Sequence, residues 1–223
     1  IKPTLITPAP APVPKPTPKP EPQVKSSETP ISPTPATEQY TPTDSEELKT
    51  MMALPGKKVK SYDFVYAPPP DNLARDHYYI KGNRFRISLY NLRAYRTDTY
   101  YDTVYVDTTS KTAVGYCEGT VPGRCRNTSA VFDLSYADFL IKTPYQWLME
   151  IPNGEIRGSE KIFDRPSKEV YYEKDGVSRT LWLDEYSGLP LRVIEEKRGN
   201  QTKYEFRYMS INAVTDDYVV HVR

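Results

Sequence analysis

The chain has 223 residues, a formal net charge of +1 and acids and bases interspersed along its length. No basic stripe stands out, so a nucleic-acid partner is not expected. No run approaches the ~18 apolar residues of a membrane span.

Thirteen of the 22 prolines fall between Pro3 and Pro42, a stretch whose one aromatic residue is Tyr40. Such a segment lacks the apolar bulk to offset the entropy of ordering itself. From Pro8 to Pro22 proline occupies every second position. That fixes φ and excludes helix, and polyproline II at ~3.1 Å per residue is expected. Residues 1–43 therefore read as a Pro/Thr-rich stalk and residues 44–223 as one folded domain. The stalk serves either as a spacer or as a ligand for a proline-binding partner. The numbering starts at Ile1 rather than Met, from which a removed export signal or a membrane anchor upstream of residue 1 is expected.

Thr43 and Glu46 form a capping box for a short opening helix through Met51 and Met52, which Pro55-Gly56 is expected to end. Strand patterns follow. Lys57–Tyr66 alternates and is broken by Pro68-Pro69-Pro70. His77–Lys81 and Arg84–Tyr90 flank a two-residue Gly82-Asn83 turn. Tyr101–Asp107 and Thr112–Cys117 make another hairpin. Later strands are Glu155–Phe163, Glu169–Lys174, Val177–Asp184, Pro190–Lys197, Lys203–Ile211 and Tyr218–Val222. In mid-chain, Leu134–Ile141 suits a helical turn, and Thr143-Pro144 caps a second helix running to Ile151.

A side-chain period of two, with turn signals every ten or so residues, predicts an antiparallel meander with one buried face. About ten strands are too many for a flat open sheet of this size. The expected fold is mainly β (α+β): a strongly curved antiparallel sheet or half-open β-barrel, with a short N-terminal helix and a central helical plug.

Cys117 and Cys125 bracket a loop containing Gly119, Pro122 and Gly123, a spacing that suits a disulfide. The alternative is two free thiols. Asn127-Thr128-Ser129 and Asn200-Gln201-Thr202 are glycosylation sequons at Asn127 and Asn200, both in expected loops. Stalk, cysteines and sequons together indicate an extracytoplasmic, cell-surface or periplasm-like location.

Tyr62, Phe64, Tyr66, Phe85, Ile87, Leu89, Tyr204, Phe206 and Tyr208 share the expected concave face. They line an apolar ligand pocket or form an ordinary core. Phe139, Leu140, Trp147 and Leu148 form either a movable lid or a fixed plug. Arg84, Arg86, Arg93 and Arg96 face an anionic headgroup or are a solvated strand face. Tyr95, Tyr100, Tyr101 and Tyr105 gather as a binding patch or as half-buried packing. No Gly-x-Ser-x-Gly motif exists, His77 and His221 lack metal spacing, and Glu195 and Glu196 read as a charged strand end. No catalytic residue, cofactor or metal is expected.

Val59–Phe64, Tyr79–Ile87, the Leu181-Trp182-Leu183-Asp184…Gly188-Leu189-Pro190 segment and the final meander resemble, in this order, the LolA-like lipoprotein-carrier superfamily. The resemblance implies a half-open barrel whose concave face, covered by helices, holds acyl or similar apolar chains. The function it implies is non-catalytic binding of a lipid or other apolar ligand. The other reading is a structural or sensory surface module with a cell-surface protein partner.

Overall fold

The computed structural model describes residues 46–119 and 129–221. The stalk, Thr43, Cys125, Asn127 and Val222 lie outside the described residues.

A first helix, α1 (Glu46–Lys58), is followed by β1 (Ser61–Ala67), β2 (His77–Lys81), β3 (Arg84–Arg96), β4 (Thr99–Asp107), β5 (Thr112–Tyr116) and β6 (Val131–Leu134). A single 3-10 turn (Tyr136–Phe139) and α2 (Pro144–Met149) lead to β7 (Glu155–Ile162), β8 (Arg165–Lys174), β9 (Val177–Asp184), β10 (Pro190–Lys197) and β11 (Asn200–Ile211). All eleven strands form one antiparallel sheet, ordered β6-β5-β4-β3-β2-β1-β11-β10-β9-β8-β7. It is a mainly β, curved and unclosed sheet. Two meanders meet where β1 pairs with β11, and β6 and β7 are its outer edges.

Register explains why one face is buried. Phe64, Tyr78, Ile87, Val104, Gly115 and Phe132 lie opposite one another across six strands. Tyr204, Val193, Leu181, Val170 and Ile156 form the corresponding row in the other meander. With a period of two, all of these point to one face, and most are fully buried. The connection from β6 to β7 must span the whole sheet, and it does so across this face. Trp147 of α2 is 2% exposed, and its ring lies 5.1 Å from that of Tyr204. A complete capping box starts α2: Thr143 Oγ1 accepts from the Gln146 amide, and Gln146 Oε1 accepts from the Thr143 amide.

Four expectations need correction. Helix α1 does not stop at Pro55-Gly56 but runs to Lys58, with the Val59 amide donating to the Pro55 carbonyl. Pro55 has no N–H to give Met51, and Gly188 (φ +73°) sits directly over that carbonyl. Burial of Leu48, Met51 and Pro55 holds the helix together through the proline. The strand expected from Lys57 consequently begins at Ser61. β8 starts at Arg165, four residues earlier than expected, with Pro166 paired to Lys161 of the outermost strand. Tyr218 and its neighbours form turns rather than a strand; Val219 is buried and Tyr218 packs on Tyr79. β6, which the pattern did not announce, is a four-residue strand paired with β5.

The opposite face carries a buried cluster of charge pairs. Glu205, 2% exposed, receives Arg192, Lys203 and Arg207 on its two oxygens. Burial pushes its pKa up, but the hydrogen bonds and charges of Arg207 and Lys203 outweigh that and hold it below the usual range. A carboxylate depressed in the folded state stabilises fully above its unfolded pKa, near ~4.3, and loses that contribution as pH falls through the folded value. Glu205→Gln is therefore expected to be less stable than wild type at pH 7, with the gap narrowing as pH drops below ~4. Urea melts from pH 3 to 7 measure this; a gap independent of pH would refute it.

Candidate functional site

The predicted apolar face is mostly core. Phe64, Ile87 and Phe206 are fully buried and Leu89 nearly so. Phe64 stacks on Tyr78 at 5.5 Å and meets Phe206 edge-on at 5.2 Å, while Tyr66 stacks on Phe206 at 5.7 Å. Burial pushes the Tyr66 hydroxyl up to about 12. Tyr208 is elsewhere. A bulge shifts the β1–β11 register between Asp63 and Val65, and Tyr208, at φ +56°, is turned outward and 74% exposed.

Open space remains at one end of the buried face. A cavity of about 470 Å³ lies between Tyr62, Ile80 and Phe85 on the sheet and Tyr136, Leu140, Ile141, Thr143, Tyr145 and Gln146 on the β6–β7 connection. Val59, Lys60, the Gly82-Asn83 turn and Thr108 complete its rim. Two of the nine predicted face residues, Tyr62 and Phe85, thus reach it. Burial raises the Tyr62 hydroxyl to about 12, opposed by hydrogen bonding with Thr143 and Tyr145. Tyr62 is therefore a neutral wall at ordinary pH.

The four predicted lid or plug residues divide in two. Phe139, Trp147 and Leu148 are buried, whereas Leu140 is 45% exposed at the cavity mouth. Ile141, Tyr145 and Ile80, which sequence reasoning did not single out for the site, line the same space.

The arginine group does not converge. Arg86 pairs with Glu118 at 2.8 Å and lies 4.8 Å from the Tyr218 ring, on the face opposite the cavity. Arg84 faces Asp107, and Arg93 faces Asp76 at 2.9 Å. Arg96 covers the Tyr95 ring. The tyrosine patch also splits: Tyr95 and Tyr101 pack on Phe132, and Tyr105 donates to Glu118 at 2.7 Å from the other face. His77 is half-buried and bonded to Asp63 at 2.8 Å. His221 stacks on Tyr116 and reaches Glu118 at 3.1 Å. Glu195, read as part of a solvated strand end, instead pairs with Arg179 at 2.7 Å. Cys117 is 1% exposed, and Asn200 is exposed at the β10–β11 turn.

No protein-family model and no curated protein matches the sequence. Solved structures do. MucB is 14% identical, with a TM-score of 0.47 over 79% of this chain and 62% of MucB. The chain thus spans less than two thirds of MucB. LprF from Mycobacterium bovis is 12% identical, with a TM-score of 0.45 over 78% of this chain and 97% of LprF. A LolA superfamily protein from Nitrosomonas europaea is 13% identical, with a TM-score of 0.31 over 80% and 98% of the two chains.

Proposed function

We propose that the domain binds an amphiphile, a lipid or comparable molecule, with its apolar part in the cavity beside Tyr62 and Leu140. The observation that carries this is the cavity itself: about 470 Å³, walled by Val59, Tyr62, Ile80, Phe85, Leu140 and Ile141. That volume falls in the ~300–1,000 Å³ range of small-molecule sites. Polar groups, Lys60, Asn83, Thr108 and Gln146, stand at the same opening. Each methylene transferred from water contributes about 0.8 kcal/mol. The mechanism is passive and needs no catalytic group.

The remainder of the reading concerns setting. The domain works outside the cytoplasm, with residues 1–43 as a spacer. Cys117 pairs with Cys125, and Asn127 and Asn200 carry glycans. Reduction and alkylation followed by mass measurement test the pairing. Recruitment of a protein partner through a sheet edge ranks second, because β7 carries Arg157, Glu160 and Lys161, which disfavour strand addition.

Leu140→Asp places a charge at the mouth without disturbing the core. It is expected to weaken binding of dodecanoate and of lauroyl-lysophosphatidylcholine at least ~10-fold, the cost of ~1.4 kcal/mol, with the melting temperature unchanged. Isothermal titration measures it. Equal affinity of variant and wild type, or no binding by either, would overturn the reading.

A further inference from the structure

A second cavity, of about 510 Å³, lies between the β7–β8 turn and the end of β11. Phe163, Asp164 and Arg165 form one wall, and Arg207, Tyr208 and Met209 the other. None of these residues borders the cavity at Leu140.

The backbone here is strained at two aromatic residues. Nine described residues other than glycine have positive φ, and Phe163 (φ +50°) and Tyr208 (φ +56°) are the two aromatics among them. Both line this cavity. A bulky side chain in that region is a steric outlier, kept only where the surroundings enforce it, and such outliers gather at ligand clamps. Phe163 and Asp164 (φ +63°) make the two-residue turn between the paired Ile162 and Arg165, where Asn-Gly is the ordinary choice. Two guanidinium groups hold the Phe163 ring, Arg207 at 5.5 Å and Arg192 at 5.8 Å from its centre. Tyr208 is 74% exposed, more than any other large hydrophobic side chain among the described residues. The bulge thus holds an aromatic ring in water at the cavity wall.

Charge sets the sign of the ligand. Arg165 is matched by Asp184, but Glu205 alone answers Arg192, Lys203 and Arg207. That leaves two positive charges over, of which the exposed Asp164 at the rim offsets one. Arg207 gives Nε and Nη2 to Glu205, and Nη2 also reaches the Asn72 carbonyl. Its Nη1 has no acceptor among the described residues, and the side chain is 31% exposed. A guanidinium with a free edge takes carboxylate or phosphate oxygens.

We infer that the cavity between the β7–β8 turn and β11 binds an oxyanion carried on a ring, the carboxylate or phosphate meeting Arg207 and the ring lying against Tyr208. Arg192, on the Phe163 ring, adds its charge. The site is separate from the amphiphile cavity and does not depend on the function proposed for it.

Titration calorimetry of the full chain at low salt tests this with phenyl phosphate, benzoate, glucuronate, phenol and inorganic phosphate. At least one of the first three is expected to bind saturably, and at least ~10-fold more tightly than phenol or inorganic phosphate. Binding of glucuronate identifies a sugar acid; binding of the phenyl probes alone identifies an aromatic acid. Arg207→Gln, which leaves Glu205 with Arg192 and Lys203, is expected to weaken binding at least ~10-fold. Tyr208→Gly removes the ring at a φ that glycine adopts freely, so the melting temperature should not fall while affinity drops about 10-fold. Failure of all three ring acids to bind saturably overturns the inference. So does equally tight binding of phenol or inorganic phosphate, or undiminished affinity in Tyr208→Gly or in a folded Arg207→Gln, which would place the probe elsewhere on the protein.

Discussion

Asp184→Ala is expected to lower stability by about 3–5 kcal/mol, the cost of removing one partner from a buried, hydrogen-bonded ion pair. Asp184 is 1% exposed and its carboxylate is fully used. Oδ1 accepts from Arg165 Nε at 3.0 Å, and Oδ2 from Arg165 Nη2 at 2.9 Å. Oδ2 also takes the Ser187 amide at 2.9 Å and its hydroxyl at 2.6 Å. The same guanidinium donates to the Met209 carbonyl, so one side chain ties the β9–β10 turn to both β8 and β11. Alanine leaves the Arg165 charge and the Ser187 amide without their acceptor. At roughly 2–4 °C per kcal/mol for a domain of this size, the melting temperature should fall by about 10 °C. Thermal unfolding followed by circular dichroism measures it. A loss under ~1 kcal/mol would put Asp184 among ordinary surface ion pairs and refute the argument.

Gly188→Ala should be nearly as damaging, for a different reason. Gly188 has φ +73°, and a Cβ there would stand 2.4 Å from the Met51 carbonyl oxygen and 2.9 Å from Pro55 Cδ. The left-handed backbone alone costs an L-residue about 1–2 kcal/mol. Displacing α1 adds about 1–3 kcal/mol of overpacking strain. Gly176→Ala separates these contributions, because Gly176 has φ +70° with nothing within 4 Å of the added carbon. The Gly188 variant is expected to cost at least ~1 kcal/mol more than the Gly176 variant and to speed amide exchange in α1. Equal penalties would show that the close approach to α1 does not matter.

Both predictions concern the Leu181-Trp182-Leu183-Asp184…Gly188-Leu189-Pro190 segment, whose resemblance was visible in the sequence. Its role is architectural: it forms the turn on which α1 rests. Elsewhere legibility followed how local the determinant was. Gly82-Asn83 sets its hairpin by turn geometry alone, and Lys81 pairs with Arg84 across it. The capping box at Thr143 likewise lies within four residues. The bulge that turns Tyr208 out was invisible, because alternation carries no mark of an inserted residue. Pro55-Gly56 misled for the opposite reason: a strong local stop signal yields to burial of Leu48 and Met51 against distant strands. The site was legible only in part. Tyr62, Phe85 and Leu140 reach the cavity, but Ile80, Ile141 and Tyr145 join them only once the connection between β6 and β7 is laid across the sheet.

The seam between β1 and β11, where Tyr62 lies opposite Ile211, has a consequence for biogenesis. The first strand to emerge waits for the last. Until the C-terminal residues are made, β1 exposes a raw edge that β2 cannot cover, rich in tyrosine and phenylalanine and open to mispairing with another nascent chain. Each half can zip locally, but zipping them together is a long-range, late event. Truncations shortly before Asn200 should therefore yield aggregates rather than a smaller soluble domain.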